Sequence, residues 1–400
     1  MGIRLSRRAE NVLQSEIRAM THECARVEGI NMAQGVCDLA IPSSVIEGAK
    51  AAMDAGRNIY TPAEGFIELR DAIAAATQAR YGLSVDPNAE IMISSGATGA
   101  FHSTAHALLD PGDEVILFEP YYGYHAASLK AMGCRVRYVR LEPPGWGVDW
   151  EVLGRTINSR TRAVVLSNPS NPTGKVFRRD ELERLARFAR QHDLVVFSDE
   201  IYEHFVYDGL THIPPASIDA LRERTVTISG FSKIFSITGW RLGYAIAPPE
   251  VIRAATQFND LVYVCPPAPL QLGAARGVLE LGVEFYREVA REHRLKRDRF
   301  CAALRQARLP PHRPEGAYYV MADISGVPGA DDRERALWIL EKTGVACVPG
   351  RAFYHDDAGR NLARFCFAKK SEVLEEACDR IARLALPARS LSEKAMGSKM

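Results

Sequence analysis

The sequence predicts an α/β protein. It reads as a large domain with a mostly parallel seven-stranded sheet covered by helices, plus a smaller α+β domain formed by the N-terminal segment and the C-terminal third. Three observations predict this. The chain has 400 residues, 47% hydrophobic and 25% charged, enough for two cores. From about residue 90, short β-branched runs alternate with amphipathic runs, the pattern of strands joined by crossover helices. In the last third the pattern changes to one long charged amphipathic run followed by short strands. The expected domains are 1–45 (N-terminal arm and part of the small domain), 46–285 (large domain), 286–388 (small domain) and 389–400 (flexible tail).

In chain order, "EIMISS" reads as a strand and "GATGAFHSTAHALL" as the helix after it. "DEVILFE" is a strand, "YHAASLKAM" a helix and "CRVRYVRL" a strand. "TRAVVLSNP" is a strand that leads to the helix "RDELERLARFARQH". "LVVFSDE", "RTVTIS" and "LGYAIAP" are strands, the last opening onto the helix "PEVIRAATQF". "VEFYREVAREHRLKRDRFCAALRQA" has the period of one long helix. After it come the strand "AYYVMADI", a helix near "ERALWILEKT", short strands "VACVP" and "RFCFA", and a closing helix "SEVLEEACDRIARLA".

Composition removes several classes. A net charge of +1 is not the footprint of a nucleic-acid binder. No apolar run is long enough to span a bilayer, and the charged N-terminus lacks the apolar block of a signal peptide. That N-terminus reads as an amphipathic arm or helix. "MGIRLS" fits the N-myristoylation pattern at Gly2 and Ser6, but no other membrane feature accompanies it. None of the eight cysteines forms C-x-x-C or a zinc spacing, so no metal is expected and a reducing cytoplasm is the simplest home.

In open α/β sheets, ligands bind outside the carboxyl ends of the strands. The unusual residues of this chain fall there. Ser95-Gly96-Ala97-Thr98 opens a helix whose free N–H groups suit a phosphate, although it is neither a Walker A nor a G-x-G-x-x-G loop. "NPSNPTG" (168–174) follows another strand. Asp199 directly follows "LVVFS", with Glu200 and Tyr202 behind it. Lys233 follows "RTVTIS" among serines, glycines and apolar residues, where desolvation would turn an ammonium into a usable amine.

"NPSNPTGKVF", "VVFSDEIYEHF" and "SGFSKIFSITGWRLGY" together resemble the signature blocks of class I (fold-type I) aminotransferases. The resemblance runs from about Asn31 to about Leu384. It implies pyridoxal 5′-phosphate as cofactor, and transfer of an amino group from an L-amino acid to a 2-oxo acid by a ping-pong route. Lys233 would form an imine with the cofactor aldehyde and then carry the proton as base and acid. Asp199 would pair with the ring nitrogen. Asn171 and Tyr202 would hydrogen-bond the phenolic oxygen. Arg241, Ser232, Ala97 and Thr98 would hold the phosphate, and Tyr122 would stack on the ring. Tyr60 would reach a phosphate across a dimer interface, so that a homodimer shares its active sites. Arg364 would clamp the substrate carboxylate, with Asn171 and the backbone of Gly35 close by.

The sequence departs from the family pattern in three places. Cys37 stands where many relatives have proline, Gly99 where an acid or amide is usual, and Tyr354-His355-Asp356-Asp357 where many continue with glycine. The last is read as an exposed polar loop, and with "RFCFAKK" it is most similar to the kynurenine, glutamine and methionine aminotransferase subgroup. Two alternatives stand beside transamination. A C–S β-lyase or an oxygen-dependent oxidase or hydroxylase would use the same cofactor residues. A ligand sensor would need a DNA-binding module for which about thirty N-terminal residues leave little room. Tyr121, Tyr124, Cys37 and residues near Tyr263 of the neighbouring subunit are expected to line the side-chain pocket and to favour large or apolar substrates.

Overall fold

A computed structural model describes residues 3, 4, 6 and 15–384. Most of the N-terminal arm, Gly2 of the acylation pattern and the tail 389–400 lie outside the described residues. The chain divides into two compact units.

The first unit holds residues 36–294 and 315–317. Its sheet runs in the order Ile91–Ser95, Leu242–Ile246, Thr225–Gly230, Val195–Asp199, Thr161–Ser167, Glu114–Glu119, Arg135–Glu142, Gly147–Val148. The first seven are the strands read from the sequence. The eighth is a two-residue return paired antiparallel with Arg135–Glu142. Leu242–Ile246 runs antiparallel to both its neighbours, and the other pairs are parallel. Central strands are apolar on both faces because helices cover both, and Glu114–Glu119 is buried throughout. Toward the edge, Arg135–Glu142 turns Arg135 and Arg137 outward. One core cluster, including Phe101, Leu117, Leu129, Phe197 and Ile252, packs between sheet and helices.

The helix Arg179–Gln191 buries Leu182, Leu185, Ala186 and Ala189 along one stripe, and Glu181 accepts the Arg178 backbone N–H at 2.9 Å. Four helices in this unit lie outside the elements read from the sequence: Ser43–Asp54, Ile67–Tyr81, Trp150–Thr156 and Ala268–Glu280. The first and last of these pack through small residues. A Cβ on Gly273 would sit 2.6 Å from the Val45 carbonyl oxygen. Backbones that close need few large apolar residues, so periodicity gives little sign of them.

The second unit holds residues 15–35, 295–314 and 318–384 of the described chain. A four-stranded antiparallel sheet runs in the order Pro311–His312, Tyr319–Asp323, Leu362–Cys366, Val348–Pro349. Ile30–Asn31 pairs parallel with Val345–Ala346. The helix Asp332–Thr343 begins where Asp331 accepts the Glu334 N–H at 2.9 Å, and ends at Gly344 in the left-handed region. The long helix Val283–Gln306 continues from the first unit into the second. In the loop after Phe353, His355, Asp356 and Asp357 are exposed as expected, but Tyr354 is buried. Its ring packs against Gly359, and a Cβ on that glycine would meet the ring at 2.7 Å.

Candidate active site

Sheet register gathers the first unit's polar residues on one edge. Ser95 pairs with Leu242, Gly230 with Gly243, Asp199 with Ile228, and Ser167 with Asp199. The carboxyl ends of four strands and the amino end of Leu242–Ile246 therefore line up. Strand order reverses between Glu114–Glu119 and Thr161–Ser167, and a crevice opens at that switch point. Tyr121, Tyr122, His125, Ser170 and Asn171 line it.

At one end of this edge is an anion cradle. The helix Gly96–Leu108 starts without a side-chain cap from Ser95, so its first N–H groups are open to a ligand. Arg241 sits on a left-handed corner with φ +56. Its Nη1 donates to the Thr238 carbonyl at 3.0 Å and its Nη2 to the Ser95 carbonyl at 3.5 Å, both neutral partners. Gly96 leaves room for this guanidinium, because a Cβ there would lie 2.4 Å from Nη2. Gly243 lets the strand approach the helix start, since its Cβ would meet the Ala97 nitrogen at 2.3 Å. Thr98 is exposed beside Ala97.

Asp199 ends its strand 8% exposed. One carboxylate oxygen lies 3.2 Å from His125 Nε2, and the other accepts the Ile201 N–H at 3.3 Å. His125 is three residues beyond Tyr122, and the two rings meet edge to face at 5.3 Å. Tyr122 also stacks on Tyr124 at 5.2 Å. His125 was missed in the sequence, where its only signal is that spacing after Tyr122. Tyr202 and Asn171 are buried near this edge.

Lys233 is half-buried on the turn after Thr225–Gly230, where Phe231, Ser232, Ile234 and Phe235 are all buried. Phe231 and Phe235 stack at 5.7 Å, which gives the turn an apolar footing. Phe231 donates its N–H to the Leu242 carbonyl at 3.3 Å, so Ser232 and Lys233 emerge next to Arg241. Farther along the turn, Ser236 donates to Cys37 Sγ at 3.3 Å. Tyr263 reaches Gly99 of its own chain: a Cβ there would lie 3.3 Å from the Tyr263 ring. Tyr60 is 79% exposed beside Ile59 at 80%.

In the second unit, Arg364 lies mid-strand and is 1% exposed. Its Nη2 donates to the Ala33 carbonyl at 2.6 Å, and its guanidinium lies 4.2 Å from the Tyr319 ring centre and 5.0 Å from that of Phe353. Gly35 admits no side chain, because its Cβ would fall 1.8 Å from the Tyr319 hydroxyl.

The sequence profile described as aminotransferase class I and II matches residues 27–381. The chain belongs to that family. An aspartate aminotransferase of Pyrococcus abyssi is 36% identical over 383 residues, which is 95% of this chain and 98% of that one. A methionine aminotransferase of Escherichia coli is 34% identical over 357 residues, 89% of this chain and 92% of that one. The solved N-succinyldiaminopimelate aminotransferase of Mycobacterium tuberculosis superposes with a TM-score of 0.92 at 33% identity, covering 96% of this chain and 100% of that one. The methionine relative fits the subgroup read from the sequence. The chain is a pyridoxal-phosphate-dependent transaminase of fold type I, and the lyase and oxidase outcomes are not favoured.

The residues on the sheet edge of this aminotransferase fit the cofactor. The uncapped helix start and Arg241 match a phosphate dianion, and Gly96 supplies the space it needs. An acid oriented by a histidine, a tyrosine ring and a lysine lie on the same edge.

Proposed function

We propose that Lys233, Asp199, Tyr202, Asn171, Tyr122, Ser232, Arg241, Ala97 and Thr98 hold the cofactor of this aminotransferase. Gly35, Asn171 and Arg364 then receive the substrate. The observation that carries the reading is the His125–Asp199 contact of 3.2 Å, on the same sheet edge as Arg241 and Lys233. Bound there, pyridoxal phosphate supplies a conjugated ring that takes up the electron pair left behind when the substrate Cα loses its proton. Asp199, held by His125, keeps a proton on the ring nitrogen. Lys233 Nζ would be the group that removes and returns the proton of the substrate Cα. Asn171 and Tyr202 would donate to the phenolic oxygen, and Arg364 would bind the substrate carboxylate.

We further infer a homodimer in which Tyr60 completes the partner's phosphate site. The support is a set of apolar residues exposed on the single chain: Tyr60, Ile59, and Leu261 at 81%. A cytoplasmic location is supported by the cysteines, all unpaired and seven of the eight buried. No helix among the described residues is long and apolar enough to cross a membrane. Tyr121, Tyr124 and Cys37 support a donor with a large or apolar side chain, and a panel of amino donors against several 2-oxo acids, with products weighed, tests that choice.

The decisive experiment is borohydride reduction followed by peptide mass analysis. A cofactor tag on Lys233 is the expected result, and an untagged Lys233 in a coloured protein overturns the assignment. Lys233→Ala should lower turnover by a factor of about 100 to 10,000 while the protein still binds cofactor.

A further inference from the structure

Behind Asp199 and Tyr202, on the same short turn, lie two acids that the chemistry above does not use. Glu203 accepts from the Tyr81 hydroxyl at 2.5 Å, the Ser229 hydroxyl at 3.0 Å and the Tyr244 hydroxyl at 3.4 Å. Arg80 approaches its carboxylate at 3.7 Å. Ser229 is on the strand that leads to Lys233, Tyr244 on the strand that begins after Arg241, and Tyr81 ends the helix Ile67–Tyr81. One carboxylate therefore ties the turn to two strands and a helix. Glu200 makes a parallel pair of contacts, to His212 at 2.7 Å and to the Thr227 hydroxyl at 3.3 Å.

Burial works against charge on Glu203, but the Arg80 guanidinium and the hydrogen bond from the Tyr81 hydroxyl draw its carboxyl below the usual carboxylate range. Burial also takes His204 down to about 3, so that ring is neutral at pH 7. Arg80 and the hydroxyl donors are then the groups that keep Glu203 ionised. Three donors on one buried anion form a charge-assisted network, rigid while complete and costly when one member is lost.

We propose that Glu203 is a positioning residue for the cofactor: its carboxylate clips the Asp199–Tyr202 turn to the strands bearing Lys233 and Arg241. The inference rests on the functional reading above. Tyr202 sets the basicity of the group it donates to only while its hydroxyl is held in place. Other anchors hold parts of the turn: Glu200 bonds His212 and Thr227, its N–H donates to Ile228 at 2.7 Å, the Asn168 N–H donates to the Asp199 carbonyl at 2.9 Å and the Phe205 N–H to the Tyr202 carbonyl at 2.8 Å. Glu203 is the side chain that joins the turn to Ser229, Tyr244 and Tyr81 together.

The test compares cofactor-loaded wild type, Glu203→Gln and Glu203→Ala, with Glu114→Gln as a destabilised control far from the turn. Two quantities are read without substrate: the cofactor dissociation constant, and the pH midpoint of the bound cofactor's visible absorption change. In Glu203→Ala the constant should rise about tenfold and the midpoint should move by about half a unit or more. Glu203→Gln should recover part of both, and Glu114→Gln should melt lower with both values unchanged. A folded Glu203→Ala with wild-type affinity and midpoint overturns the proposal. If Glu203→Ala does not fold, Tyr81→Phe and Ser229→Ala each remove one donor. Both should move the midpoint the same way by less, and wild-type midpoints in both overturn it equally. A wild type that binds no cofactor is a separate result that takes down both readings.

Discussion

Arg241 and Arg364 are held in opposite ways. Arg241 stands exposed on a left-handed corner between a short 3₁₀ turn and a strand, bonded to two carbonyls. Arg364 is enclosed in the middle of a strand, its plane against Tyr319 and its Nη2 on the Ala33 carbonyl. A loop backbone sets the position of the first, and strand register sets that of the second. On the proposed assignment the difference has a physical sense. The phosphate stays bound and shares its charge with helix N–H groups, so its arginine tolerates an exposed corner. A substrate carboxylate enters at every turnover and meets few other donors, so its arginine gains from being rigid beforehand.

Four substitutions break or sharpen this comparison. The largest effect should come from Arg364→Ala: kcat/KM for amino donors should fall on the order of 100-fold or more, while cofactor affinity stays within about twofold. Arg364→Lys should restore little, because a point charge does not replace the planar fork between the rings. Next, Arg241→Ala should reverse the pattern, weakening cofactor binding by about 10- to 100-fold with a smaller change in donor KM once the cofactor saturates. If both variants lose the same property, the division of labour fails. A smaller loss is expected from Gly96→Ala. Its φ of +72 disfavours any side chain, and the new Cβ would meet the guanidinium. Cofactor titration should show a several-fold weaker constant, about 1 kcal/mol.

The smallest effect concerns stability alone. His204 is neutral in the folded chain because burial lowers its pKa from 6.5 to about 3. The unfolded chain takes up that proton first, so the contribution is complete above about pH 6.5 and is lost as pH falls toward 3. Urea midpoints should drop across that range, with a slope from this group of at most about 1.4 kcal/mol per pH unit. His204→Gln should flatten the fall between pH 6.5 and 4.5, above the range where carboxylates such as Glu114, held at about 2 by Arg137, Asn158 and Arg160, begin to contribute.

Much of this was legible in the chain. Strand ends carrying Asp199, Asn171 and Lys233 stand out because a parallel sheet needs apolar runs, and a polar residue that interrupts one is conspicuous. His125 was not legible, since a histidine in a helix is ordinary until a carboxylate is found 3.2 Å away. Glu203 was read past for the same reason: its donors come from residues 81, 229 and 244.

The sequence by itself determined the alternation of strands and helices and the order of the motifs, and it singled out Lys233 and Asp199 as candidates. Those depend on local pattern and on residue type, which one line of letters records. Only the tertiary structure decided that Gly96 makes room for Arg241, that His125 lies against Asp199, and that Glu203 gathers hydroxyls from residues 81, 229 and 244. Each of those needs groups distant in sequence to meet within a few ångströms, and strand register and close packing, not local propensity, bring them together.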